Sequence, residues 1–145
     1  MKTPVLRLVL AAACLSGIGL AQAAENEKGN AEQAAAIAVG WLTLIDNYDY
    51  AGSLHAACAS FKGTATEERW VGAMNRSRKP LGHVGSRAVI DAVFSTKAPR
   101  APVGAYWIVR FNTTFEGARA QEVVTLAQDE DGQWRVQGFF IRAPD

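Results

Sequence analysis

Histidine and cysteine are scarce in this chain, with two of each in 145 residues. Two cysteines cannot build a disulfide scaffold. His55 and His83 are too far apart for a His-x-x-x-His metal pair, and no Cys-x-x-Cys is present, so zinc has no usual ligand spacing. Gly-x-Gly-x-x-Gly, the P-loop and Gly-x-Ser-x-Gly are missing as well. The legible forms of dinucleotide, nucleotide-phosphate and nucleophile-elbow chemistry go with them. No cofactor and no metal are therefore expected. A charge excess is also lacking. Fifteen basic side chains face fourteen acidic ones, without the basic footprint of a nucleic-acid binder. What remains is ordinary globular usage, 49% apolar and 20% charged, enough to fold one domain.

The first residues read as an address. Lys2 and Arg7 form a positive start, Leu8 to Leu20 is apolar apart from Ser16, and Ala21-Gln22-Ala23 has the form of a cleavage site. The reading is a signal peptide over 1–23, cleaved after Ala23, and an exported chain, periplasmic or secreted. The apolar run is shorter than the roughly 20 residues that span a membrane, so no span is expected in the mature form. Lipoprotein processing at Cys14 is the alternative, but no Leu lies three residues before it and the apolar run continues beyond it. Removing 1–23 also removes Lys2, Arg7 and Cys14. Cys58 is then the one thiol left. Its neighbours Ala56, Ala57 and Ala59 suit a small buried hydrophobe, with a weak thiol–base pairing to His55 as the other reading.

A polar stretch over 24–30 reads as a flexible leader, and a single domain follows over 31–143. Asn30 and Gln33 suit a capping box. Ala31 to Asp46 carries Ile37, Trp41, Leu44 and Ile45 at helical spacing. A second helix is expected from Tyr50 to Phe61, ended by Gly63. A third starts near Ala65, capped by Thr64 with Glu67, buries Trp70, Val71 and Met74, and stops before Pro80. Periodicity then turns to alternation. Strands are expected over 87–96, 103–115, 118–128 and 134–142, with an Asp131-Gly132 turn before the last. The fold class is α+β: three N-terminal helices packed on a curved, cone-like, four-stranded antiparallel meander. In strand two, Trp107, Val109, Phe111, Thr113 and Phe115 share one face. The opposite sheet face lacks a helical cover. Ile108, Phe139 and Ile141 are expected on it, where they could pair two copies or dock a partner.

Several clusters have structural readings beside functional ones. Arg76, Arg78 and Lys79 end the third helix, as cations favoured by its dipole or as a site for an anionic envelope component. Asp129, Glu130 and Asp131 read as a solvated turn without calcium-loop spacing.

The runs Gly40-Trp41-Leu42 with Asp46 and Tyr48, Phe61-Lys62 with Trp70, Arg78-Lys79-Pro80-Leu81-Gly82, 109–115, 122–126 and 131–142 together resemble the domain-of-unknown-function 4019 family. The resemblance covers about 34–142. It implies a small exported bacterial protein with a nuclear transport factor 2-like fold, and it brings no catalytic residues. The family pattern has Ser-Trp where this chain has Leu54-His55. Cone-fold relatives include isomerases and cyclases that move protons with a buried carboxylate beside Tyr or His. Asp91 with His55, Tyr48 or Tyr106 is the set that could do so here. The leading expectation is a non-catalytic exported domain that binds an envelope protein or small molecule. The alternatives are a small cone-fold enzyme using Asp91 and His55, and a structural envelope protein assembling through its exposed sheet face.

Overall fold

The computed structural model describes residues 16–144. The first part of the expected signal, with Cys14, lies outside them. Four α-helices precede four strands: α1 Ser16–Asp46, α2 Tyr50–His55, α3 Ala59–Thr64, α4 Glu67–Ser77, β1 Val84–Ser95, β2 Tyr106–Phe115, β3 Arg119–Gln128 and β4 Trp134–Arg142. A single 3-10 turn over Lys79–Leu81 joins the helices to the sheet. The class is α+β, and the helices come before the sheet, as the periodicity indicates.

α1 runs unbroken through 24–30, so the expected leader is helical here and Asn30 lies inside the helix rather than capping it. Ala24, Glu25, Glu27 and Lys28 are good helix formers, and the one glycine of that stretch, Gly29, costs only about 1 kcal/mol against them. The face carrying Ala34, Ala38, Trp41, Leu42 and Ile45 is buried. Leu42 and Ile45 are fully covered, and each contributes about 1.5–3 kcal/mol by leaving water.

The helix expected over Tyr50–Phe61 is two helices. Cys58 breaks it with an extended backbone (ψ 161°), and its N–H donates to Val136 O on β4 at 2.9 Å. A chain that bonds a strand edge at this point cannot also carry the helical ladder. The next cap shifts too. Thr66, not Thr64, accepts from the Arg69 N–H and starts α4. Thr64 Oγ1 instead donates to Phe61 O at 3.1 Å, and Gly63 lies within α3. Ahead of Pro80, α4 ends at Ser77.

The sheet is an antiparallel meander in the order β1-β2-β3-β4. Trp107, Val109, Phe111, Thr113 and Phe115 are all buried, as the alternation requires. The sequence reading of β4 needs correction. A register shift between Thr125 and Leu126 leaves Gln137 unpaired, with Thr125 opposite Gly138 and Leu126 opposite Val136. One extra residue reverses side-chain parity. Phe139 therefore turns into the core, 8% exposed and edge-on to Trp41 at 5.4 Å. Ile141 packs against the same core. Neither belongs to the uncovered face, so the proposed pairing surface of Ile108, Phe139 and Ile141 is not formed. Phe140 takes the outward position instead, 42% exposed.

Candidate functional site

The interior is filled. Trp41, Trp70, Trp107 and Phe111 all belong to the buried core. The indole N–H groups of Trp41 and Trp70 donate to Ser53 O at 2.8 Å and Ser53 Oγ at 3.0 Å, which ties the three helices at the centre together. The gap between α1 and the sheet, bounded by Ala34, Ile37, Phe94, Trp107 and Trp134, holds about 160 Å3. Small-molecule sites usually occupy about 300 Å3 or more.

The residues nominated for proton transfer are not brought together. Asp91 is paired with Arg110, which faces it across the β1–β2 ladder, and Arg110 Nε donates to Asp91 Oδ1 at 2.8 Å. That hydrogen bond, with the guanidinium charge, holds the Asp91 carboxyl below its ordinary value. An ionised carboxylate in an ion pair is poorly suited to proton abstraction. His55, at the end of α2, contacts Glu67 on α4 at 2.9 Å, and both side chains are more than half exposed. Tyr48 packs edge-on to the His83 ring at 5.6 Å. Tyr106 donates its hydroxyl to Pro102 O at 2.8 Å. The four groups thus have four separate sets of partners.

Other nominated residues also find places. Cys58 is buried, and its Sγ lies 3.1 Å from Ser60 Oγ rather than against His55. Asp129 and Asp131 both bind Arg135, at 2.9 and 2.8 Å. The Arg135 bond, followed by the Gln133 N–H, holds Asp131 down at about 2. Among the described residues no group of three metal-ligating side chains forms. Arg78 is the clearest departure. Read as part of a surface cluster with Arg76 and Lys79, it is fully buried.

Arg78 belongs to a polar cluster that pattern reading missed. Asp46, the last residue of α1, accepts from Arg78 Nη2 at 3.2 Å and from Arg87 Nη2 at 2.9 Å on one oxygen, and from Arg87 Nη1 at 2.7 Å on the other. Arg87 Nε donates to Glu122 Oε2 at 2.8 Å, and Thr113 Oγ1 donates to the same oxygen at 2.5 Å. The Arg78 guanidinium also covers the Phe115 ring at 4.5 Å and donates to Gly82 O at 2.8 Å. Gly82 has φ +80° beside Glu116, a turn that a side chain would strain. Two acids and two arginines thus neutralise each other beneath the end of α1. Burial alone would raise the Asp46 carboxyl. Bonds from Arg87 and then Arg78 more than offset it and hold the group below its ordinary value. Burial pushes the Tyr50 phenol up. Tyr50 Oη, Arg78 Nε and Glu122 Oε1 are buried without a hydrogen-bond partner among the described residues. Replacing such a buried ion network whole by apolar residues is often neutral for stability, whereas removing one member strands a charge and is costly. The sequence cue was Glu122 itself, a carboxylate placed among the inward positions of β3.

These features define a class: an α+β domain with an aromatic-filled core, a neutral buried ion cluster, and no convergent set of catalytic groups among the residues the sequence nominated. The chain belongs to the family described as "Protein of unknown function (DUF4019)", whose profile matches residues 37–139. Comparison with curated proteins and with solved structures gives no match.

Proposed function

We propose that this protein is an exported, non-catalytic domain of the bacterial envelope that binds a protein partner along the β1 edge. The observation that carries this reading is the exposure of Val89, Ile90, Val93 and Phe94, each between 42% and 51%, on one edge strand. Edge strands in stable monomers are usually shielded by unpaired charges, proline or a covering segment. In β1 the two charged side chains, Arg87 and Asp91, are already engaged. An added strand would gain main-chain hydrogen bonds and apolar contacts together. β4 offers less, because the Cys58 N–H occupies Val136 O. The filled core supports a binding role over a catalytic one. Helices ahead of a meander, with bulges in β1 and β4 to bend it, support the nuclear transport factor 2-like, cone-like arrangement.

A photo-crosslinking residue at Val93, in the native host, tests the partner. One adduct of defined mass is expected, competed by excess unlabelled chain and absent from a Glu130 control. An adduct of two chains would replace the partner by a second copy. No adduct from any of the four β1 positions would overturn the reading. Intact mass of the recovered protein tests export. A start at Ala24 is expected, and a lipidated start at Cys14 would overturn that processing. The described residues contain no helix long and apolar enough to cross a membrane.

A further inference from the structure

A groove of about 380 Å3 lies at the β4 bulge, between α3, α4 and the connection from β1 to β2. Four aromatic side chains, Phe61, Trp70, Phe139 and Phe140, form much of its wall. Phe61 and Trp70 are edge-on at 5.0 Å, an aromatic pair against whose open side a further ring packs favourably. Gly138 contributes no side chain, so the floor stays open beside Thr125. One cation completes the lining. Arg100 is exposed and has no hydrogen-bond or ion-pair partner among the described residues.

The backbone at Arg100 adds a second observation. The Ala101 N–H donates to Ala98 O at 3.3 Å, which closes a β-turn with Pro99 in second place and Arg100 in third. Arg100 has φ +58°. Turns that combine proline with a positive φ in this order ordinarily place glycine or asparagine there. An arginine at that position is strained, and strain of this kind concentrates at functional sites.

The geometry points to this groove as a binding site for a small monocarboxylate with an aromatic body. The ring lies among Phe61, Trp70 and Phe140, and the carboxylate accepts hydrogen bonds from the Arg100 guanidinium. A carboxylate fits because the groove holds one unpaired positive charge and no acidic side chain, in walls that are aromatic apart from Pro99, Gly138 and the neutral polar residues Thr64, Thr125 and Gln137. The site is separate from the β1 edge, so either reading can fail without the other.

Titration of the intact chain with 4-phenylbutyrate tests it, read by amide NMR shifts and by Trp fluorescence. Saturable shifts are expected at Phe61, Trp70 and Phe140. 4-Phenylbutanamide, the neutral analogue, should bind about tenfold more weakly, the size of one charge-assisted hydrogen bond. Arg100→Gly keeps the turn, and should show the same loss for the acid and none for the amide. Phe140→Ser should weaken both ligands. Equal affinity of Arg100→Gly and the parent chain for the acid would overturn the site. So would shifts confined to Arg69 and Arg76, or no shift at the solubility limit of the probe.

Discussion

Arg87 holds Asp46 through both terminal nitrogens, at 2.7 and 2.9 Å, and so fastens the end of α1 to the first strand. The same guanidinium reaches Glu122 on β3 through Nε. One side chain therefore satisfies two acids on two elements, and Glu122 is fully buried.

Arg87→Met should destabilise the fold by about 3–5 kcal/mol, because it strands a buried carboxylate. Urea denaturation measures this. The double variant Arg87→Met with Glu122→Leu should recover much of the loss, since both partners then become apolar. A double variant no more stable than the single one would show that packing, not the stranded charge, sets the cost.

The cluster also predicts an acid response. The folded Asp46 pKa lies below its ordinary 3.8. Its contribution is therefore fully present above that value and fades as pH falls through the lowered folded pKa. Asp91 and Asp131 are shifted in the same direction. The melting temperature should hold through mildly acidic solution and fall below roughly pH 4. Asp46→Asn should flatten that fall and lower stability at neutral pH.

Phe139→Ala should cost about 3–5 kcal/mol, the range for emptying a buried aromatic site. Phe140→Ala should cost under about 1 kcal/mol, as Phe140 itself points outward. Thermal or urea unfolding of the two variants compares adjacent residues directly. Similar losses would contradict the bulge at Gln137.

Asp91→Ala and His55→Ala should each change stability by under about 1 kcal/mol, because both pairs are solvent-accessible. Their effects should also be additive within about 0.5 kcal/mol, as expected for sites without shared partners. A coupling well beyond that would return them to one site.

Much of the sheet was legible because β2 alternates without interruption and its inward residues are apolar except Thr113. Pro80 and the Asp131-Gly132 turn were legible for chemical reasons: proline ends a helical ladder, and Gly132 takes φ +79°. The β4 faces were not. A bulge is one unpaired residue, and nothing in Gln137 as a residue type announces it, yet it exchanges the roles of Phe139 and Phe140. The helix break at Cys58 was hidden for a similar reason, since it depends on Val136, far along the chain. The ion cluster was hardest to read. Arg87 meets Asp46 and Glu122 across separations of 41 and 35 residues, and local pattern assigns lone charges to solvent. The same holds for Asp91: its residue type suits proton transfer, but its partner Arg110 is set by strand register, 19 residues away.

The bond from Cys58 to Val136 has a further consequence for solubility. A sheet with two open edges can add chains without end and grow into fibres. Here the chain's own backbone occupies part of the β4 edge, while β1 stays open. Stacking of this domain edge to edge would therefore close at two copies instead of propagating. In crowded solution the folded domain would thus present a single adhesive side.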